Sequence, residues 1–516
     1  MEKKVWPSLA LAAALAGLSG FLRVDTSHPP AEDAAMLMRY SQHLAEGHGI
    51  VWNVGEAPLD GATDFLFMVA IAWCSKFGIG LESVTRGLLL AAHVGTSAIL
   101  FASVRWIGRT SLIPAASSFA YLLVGPGLVY IETYFGAPVF AFCAALAWLC
   151  ALVLMDSSNS HRCTIGFAFA SLLMGLVRPE GVLLSLLMLA AVVTAVGWKR
   201  SRPAMLWYAG LFGTIGLAYF LWRWNYFGHP LPNPFYKKGG GMLHFAGLKD
   251  SVFNTVKFTL PILPLYALGL LAPTTRRRTL AISIPLVGFA TCFILVSSEM
   301  NFAGRFQYAL LPMALMAWPW TVRACYNEET ATPLQKRKAM CVSVILLLFG
   351  LLHFDNLRQD WAVHADGRAH LGKALHEYRG KNLRLATSEA GLLPFYSQWK
   401  TLDTWGLNDS VIAREGTIRS EYLEAFDPDL VVFHAYDPPD AGGLPGWGAM
   451  TEVLRDYVTR REFILAAAYG ESPEDVHLYY IKPGIPLSEE LVRQIRGAIY
   501  AWPATGKPAK NFAVAQ

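Results

Sequence analysis

The sequence predicts an α-helical polytopic membrane protein that ends in a soluble α/β domain outside the cytoplasm. Three observations predict it. Of 516 residues, 54% are hydrophobic and only 16% are charged, with a positive mean hydropathy, which is far from what the core of a soluble chain requires. Apolar segments recur from residue 6 to residue 354, separated by short turns where basic residues cluster. Beyond residue 354 these runs stop and strand-like and helix-like stretches alternate.

The first apolar run, residues 6 to 22, follows Glu2, Lys3 and Lys4 in the manner of a signal peptide. No small-x-small cleavage site precedes Arg23, so it reads as an uncleaved first span with its basic start in the cytoplasm. The next stretch, residues 24 to 85, is then an outer loop with surface helices. It opens with two adjacent carboxylates, Glu32 and Asp33. From Ala34 to Leu44, Met36, Leu37, Tyr40 and Leu44 recur at helical spacing with Arg39, Gln42 and His43 between them, which predicts an amphipathic helix on the membrane surface. Gly47 and Gly49 end it. The acids either carry chemistry or merely start the helix, where carboxylates are favoured.

Residues 65 to 80 are apolar but short for a bilayer needing about 20 residues, and they carry Lys76. If this piece stays outside, the clusters Arg105/Arg109, Arg162, Lys199/Arg200/Arg202, Arg276 to Arg278 and Lys336 to Lys338 all fall inside; if it spans, all fall outside. The positive-inside rule selects the first arrangement. Spans are then expected near 6–22, 86–105, 111–131, 138–155, 162–177, 180–197, 204–222, 257–272, 279–297, 305–322 and 339–354, about eleven in all. An odd count puts residues 355–516 outside, beyond a membrane part comprising residues 1–354. In this tail the pattern predicts helices at 367–379 and 421–426, strands at 383–387, 430–434, 463–468 and 477–481, and a disordered end after Trp502.

The seven cysteines are scattered without metal-ligand spacing, which argues against a disulfide framework or a zinc site built on them. A dispersed net charge of +5 gives no case for nucleic acid as a partner. The informative charges lie on the outer side, where topology does not need them. They are Arg178 and Glu180 in a tight turn, Lys237 and Lys238 closing YFGHPLPNPFYKK (Tyr226 to Lys238), and Arg305 at the start of a span. Ionisable groups near membrane depth are costly and by default mark function. Arg178 with Glu180 also suits a structural pair, and the lysines suit snorkelling at the interface. Outward Arg and Lys beside a carboxylate pair suit an anion held next to a base, and phosphate is the anion that Arg forks and Lys neutralises.

The stretch EDAAMLMRYSQHLAEGHGIVWNVGE with LDGATDFLF resembles the signature of bacterial GT-C class glycosyltransferases that use polyprenyl-phosphate sugars, in particular the terminal arabinofuranosyltransferases. LVRPEG (Leu176 to Gly181), YFGHPLPNPFYKK, GRFQYALLP (Gly304 to Pro312) and ATSEAGLLPFYSQWKTLDTWGLND (Ala386 to Asp409) continue the resemblance in the same order. It implies transfer of a sugar from a polyprenyl-phosphate carrier to an envelope glycan, lipid or protein acceptor at the outer face of the bacterial cytoplasmic membrane. By that resemblance Asp33 is the first candidate for catalytic base and Glu32 the second. Arg178, Lys237, Lys238 and Arg305 are candidates for the donor phosphate, and Arg39, Thr63, Glu180, Asn233 and Tyr236 for substrate contact. A divalent cation stays open, because adjacent acids can bind one but two carboxylates do not decide it.

Three departures stand out. Glu32 replaces the first acid of the family's usual Asp-Asp pair. In YFGAPVF (Tyr134 to Phe140) the usual Glu is Gly136, so either nearby Glu132 substitutes or that acidic site is lost. Ala62 and Asp64 replace the usual Tyr and Asn around Thr63, which points to a different acceptor or sugar. The rival readings are a transporter or flippase of a lipid-linked substrate and a membrane-anchored assembly protein. An odd span count, the absence of an internal repeat and the large outer tail weigh against transport.

Overall fold

The computed structural model describes residues 5–156, 160–238, 242–323, 331–439, 441, 444 and 446–515. The basic start Glu2 to Lys4 and Cys325 lie outside the described residues, and the six described cysteines are free. The membrane part runs α1 (Val5–Arg23), α2 (Glu32–Ala45), α3 (Phe65–Ser75), α4 (Leu81–Ala102), α5 (Leu112–Val124), α6 (Gly127–Glu132), α7 (Ala137–Asp156), α8 (His161–Val177) and α9 (Glu180–Val196). It continues through α10 (Trp198–Trp207), α11 (Thr214–Phe227), α12 (Asn233–Lys237), α13 (Phe245–Thr259), α14 (Leu263–Leu271), α15 (Pro273–Cys292), α16 (Leu310–Thr321) and α17 (Pro333–Leu357). Each segment expected to span carries helix, but 111–131 breaks at Gly125 and Pro126, 279–297 leaves the helix after Cys292, and 305–322 becomes helical only at Leu310. Among the described residues, five helical stretches are long and apolar enough to cross a membrane by length and composition. They are Leu81–Ile107, Ala137–Asp156, Trp198–Phe227, Phe245–Leu271 and Pro333–Leu357.

At 1.5 Å per residue the 11 residues of α3 rise about 16 Å, roughly half of a hydrocarbon core. It is too short to cross. The centre of the bundle is α7, where Ala141, Ala144, Ala145, Ala147 and Ala151 are fully buried, so neighbouring backbones approach closely. Polar groups left in this apolar interior are joined between helices. The Trp148 indole N–H donates to the Met313 carbonyl (3.0 Å), Tyr266 to Ala314 (2.9 Å) and Tyr121 to Phe258 (3.1 Å).

The helix ends sort onto two ends of the bundle. At one, Asp156 closing α7 receives Arg278 (3.1 Å) and Arg323 (2.8 Å), Arg323 reaches the Ile107 carbonyl, and Arg277 reaches that of Thr194. At the other lie the start of α7, the α8–α9 turn, the end of α15 and the approach to α16, and there α2 and the C-terminal domain are seated.

The expected surface helix is a correction. In α2, Ala34, Ala35, Leu37, Met38, Arg39, Tyr40, Ser41 and His43 are all buried, because the C-terminal domain packs over Arg39 and Tyr40 and the following loop folds back on His43. Arg39 reaches the carbonyls of Pro394, Trp399 (2.9 Å) and Trp52 (3.0 Å). Tyr40 donates to Asn408 (3.0 Å), and the Trp52 indole to Thr401 (3.0 Å).

The C-terminal domain contains α18 (Gly367–Leu375), β1 (Arg384–Thr387), α19 (Leu392–Ser397), β2 (Lys400–Asp403), α20 (Ser410–Glu415), α21 (Ser420–Phe426), β3 (Leu430–Tyr436), α22 (Trp447–Arg460), β4 (Ile464–Ser472), β5 (Asp475–Ile481), α23 (Ser488–Arg496) and β6 (Lys510–Asn511). The strands form one sheet in the order β2-β1-β3-β5-β4-β6, parallel through β2, β1 and β3 and antiparallel beyond. An apolar core packs on each face. The four expected strands are present, while β2, α22 and α23 escaped the sequence pattern. The expected disordered end is a second correction: Ala501 bridges to Pro508 and β6 pairs with β4, so residues after Trp502 complete the sheet edge.

The positive-inside rule expects the end of the bundle that carries Arg277, Arg278 and Arg323 to lie inside, which would put the tail outside. In a background freed of native cysteines, a cysteine at exposed Glu471 should react with a membrane-impermeant thiol reagent in intact cells, and one at exposed Thr274 should react only after permeabilisation. The reverse pattern would overturn this orientation.

Candidate functional site

A cavity of about 380 Å³ opens at the end of the bundle where α2 and the C-terminal domain are seated. Its polar lining includes Asp33 from α2, Thr63 and Asp64 before α3, Arg178 and Glu180 from the α8–α9 turn, Lys238 after α12, and Arg305 before α16, with Tyr134, His244 and Ser297 at its margin. Leu183, Leu231, Phe235, Phe293, Leu295 and Val296 make an apolar wall beside them. Thus six of the expected residues, Asp33, Thr63, Arg178, Glu180, Lys238 and Arg305, share one space. Three acids, counting Asp64, face three bases.

Asp33, itself half-buried, forms an ion pair with buried Arg305, whose guanidinium also lies over the Phe135 ring (3.9 Å to the centroid). Burial alone would raise the Asp33 carboxyl, but Arg305, aided by Lys238 and Arg178, holds it below the ordinary carboxylate range. The Arg305 Nε is buried with no hydrogen-bond partner among the described residues. The guanidinium therefore has donor capacity left for an anion. Arg178 pairs with Glu180 (3.0 Å) and lies 3.4 Å from Asp64. In Asp64, burial pushes the carboxyl up against the pull of Arg178, and its Oδ1 finds no hydrogen bond among the described residues.

The sequence reading missed Asp64 as a site residue. Its carboxylate lies under Gly136, where an added Cβ would be 2.3 Å from Oδ2 and 3.1 Å from Cγ. The two positions compete for one volume, so a side chain at 136 forces the Asp64 carboxylate to shift. Glu132 does not fill this place: it accepts the Asp25 N–H (3.0 Å) and lines a different cavity with Arg23 and His28. The replacement of Asn by Asp at 64, read beside the glycine at 136, was the signal that could have revealed it.

The other expected site residues do not reach the cavity. Glu32 points the opposite way from Asp33, accepting the N–H groups of Gly391 (2.6 Å) and Leu392 (3.0 Å) and meeting Arg368 (3.1 Å). The approach is close enough that a Cβ at Gly391 would strike Glu32. Burial pushes the Glu32 carboxyl up to about 8, Arg368 opposing and Glu389 and Asp366 reinforcing the rise. Neither acid caps α2 by a side-chain hydrogen bond, and the diverging pair cannot chelate one cation together. Arg39 is a rivet between α2 and backbone carbonyls. Asn233 donates to the carbonyls of Gly406, Leu407 and Asp409. Lys237 lies over the Trp405 ring and donates to Gly416 (2.6 Å), and Tyr236 packs edge-on against His229. These four dock the C-terminal domain, or lie beside that contact, rather than line the site.

A profile for a domain of unknown function, DUF8728, matches residues 355–479, within the C-terminal domain. No curated protein matches the chain. Among solved structures, it is similar to ArnT from Cupriavidus metallidurans in the apo state, at 14% identity and a TM-score of 0.58, covering 93% of this chain and 98% of that one. The same protein bound to undecaprenyl phosphate gives 13%, 0.57, 92% and 98%. The oligosaccharyltransferase of Archaeoglobus fulgidus, tethered to an acceptor peptide, gives 11% and 0.53, covering 99% of this chain and 76% of that one. At such identities the likeness establishes the fold: a multi-pass membrane protein of GT-C-like architecture with a C-terminal sheet domain.

The competition between positions 64 and 136 has a measurable consequence. Gly136→Ala should destabilise the protein by about 1 to 3 kcal/mol through overpacking. Asp64→Ala in the same chain should relieve most of that loss, giving a coupling above about 0.5 kcal/mol in thermal unfolding of detergent-purified protein. Additive effects would mean that Asp64 leaves the Gly136 volume free.

Proposed function

We propose that this chain is a GT-C class glycosyltransferase that moves a sugar from a polyprenyl-phosphate carrier to an envelope glycan, lipid or protein acceptor. It acts at the outer face of the bacterial cytoplasmic membrane. Residues 1–354 supply the membrane-embedded catalytic part, and residues 355–516 an extracytoplasmic domain that roofs it. The observation carrying the reading is the single cavity in which Arg178, Lys238 and Arg305 stand beside Asp33 and Asp64 while one wall is apolar. A sugar joined through phosphate to a lipid needs those three surroundings together. A solved structural neighbour bound to undecaprenyl phosphate supports the same reading. Resemblance in the α2 region favours arabinofuranose as the sugar, with the changes at Ala62, Asp64 and Gly136 as the place where this chain differs.

In this reading the donor phosphate takes the guanidinium of Arg305, with Arg178 and Lys238 close by, and the polyprenyl chain follows Leu183, Phe293 and Leu295. Arg305 then leaves Asp33, and the freed carboxylate rises toward the basicity a proton acceptor needs. The acceptor hydroxyl attacks the anomeric carbon, its proton passes to Asp33, and the bond from that carbon to the phosphate oxygen breaks. The departing polyprenyl phosphate carries its new charge against the basic side chains. Asp64 is a second reading for the base, favoured by its buried, unbonded Oδ1. A transporter would need two exchanging access states, and the roof held by Arg39, Asn233 and Glu32 counts against that.

Purified protein in nanodiscs, offered a panel of polyprenyl-phosphate sugars and envelope acceptors, tests the assignment. Asp33→Asn should lower turnover about 10²- to 10⁴-fold with donor binding retained. Arg305→Ala should weaken donor binding by on the order of 1.5 to 3 kcal/mol, the worth of a charge-assisted contact. Near-normal turnover by Asp33→Asn with a dead Asp64→Asn would move the base to Asp64, and activity in both would move the chemistry out of this cavity.

A further inference from the structure

A second polar centre lies inside the C-terminal domain, away from the cavity. His434 on β3 and His477 on β5 are direct partners in the antiparallel register, with ring centroids 4.3 Å apart. Glu389, in the turn after β1, reaches across the same face of the sheet. Its Oε2 lies 2.9 Å from His477 Nε2, and its Oε1 lies 3.9 Å from His434 Nδ1. One ligand atom from each of the three falls within 4.8 Å of the others, and this is the one such group of His, Cys, Asp or Glu among the described residues.

The far nitrogen of each imidazole is already held. His477 Nδ1 is 2.7 Å from the Tyr500 hydroxyl, which in turn meets that of Tyr479 (3.0 Å), and His434 Nε2 is 2.6 Å from Asp475. Imidazoles that bind metals are oriented in this way, through the nitrogen that does not touch the ion. His477 is only 1% exposed, yet its Nε2 makes no hydrogen bond among the described residues, although Glu389 is within reach. The approach is close but off-axis, as expected for two groups aimed at a common third. The hydroxyl of Tyr436, 3.2 Å from His434 Nδ1, is the group that would turn aside.

Charge points the same way. Glu32, Asp366 and Glu389 all crowd the single guanidinium of Arg368, which occupies Oε1 of Glu389 and leaves Oε2 toward the histidines. We propose that Glu389, His434 and His477 form a site for a transition-metal dication of the zinc type. Two imidazoles and one carboxylate leave a fourth position for water or a further ligand. Because Glu389 and Glu32 share Arg368, an ion here would fix the sheet domain against α2 and so brace the residue before Asp33.

The test uses full-length protein in detergent, stripped with a chelator and titrated with zinc chloride. Wild type should retain about one zinc per chain more, after desalting, than Glu389→Gln or His434→Ala/His477→Ala, and zinc should raise the melting temperature of wild type alone. Cobalt(II) offered to wild type should give visible bands of nitrogen and oxygen ligation, which keeps the proposal testable if the histidine variants fail to fold. Equal zinc retention by wild type and Glu389→Gln, no zinc retained by wild type, or thiolate bands in the cobalt spectrum would each overturn it.

Discussion

Two neighbouring carboxylates at the head of α2 point in opposite directions, and the architecture depends on that divergence. Consecutive helical residues are turned by about 100°, so Glu32 and Asp33 cannot serve the same partner. Glu32 binds the N–H groups of Gly391 and Leu392 in the C-terminal domain, while Asp33 binds Arg305 just ahead of α16. One turn of helix therefore joins the sheet domain to the membrane part. Removing one partner of a buried ion pair typically costs about 3 to 5 kcal/mol, because the other charge is left bare. In the proposed function an anion that replaces Asp33 on Arg305 spares the guanidinium this cost, and the pair would then release a carboxylate when phosphate arrives.

Around this hinge the polar residues divide into two sets. One set lines the cavity: Thr63, Asp64, Arg178, Glu180 and Lys238. The other set holds the roof through carbonyls and amides: Arg39, Asn53 and Asn233 bind the segment from Pro394 to Asp409. Both sets are needed for a closed polar site beside an apolar wall. The roof removes water from ion pairs that would be worth little if exposed.

Much of this was legible in the sequence, because its signals were local or one-dimensional. Hydrophobic runs gave the helices, the length of the apolar run after Asp64 marked α3 as a short piece, and charges such as Arg178, Lys238 and Arg305 stood out against an apolar background. What could not be read depends on partners far away in the chain. Arg39 looks solvent-facing in an amphipathic pattern, but a domain more than 300 residues later covers it. Glu32 and Asn233 carry motif positions, yet whether a motif residue faces a ligand or another domain is set by tertiary contact. Asp64 and Gly136 reveal their relation only when placed in one volume, and His434 meets His477 only through strand register. The end after Trp502 is polar and Pro-containing, so its pairing with β4 had no local signature.

The most direct measurement of the central claim is a cryo-electron microscopy structure of the nanodisc-embedded protein with a polyprenyl phosphate bound. The account predicts phosphate oxygens within hydrogen-bonding distance of Arg305, near Arg178 and Lys238, with Asp33 no longer paired to Arg305 and its carboxylate turned into the open cavity. A phosphate bound elsewhere with the Asp33 and Arg305 pair intact would contradict it.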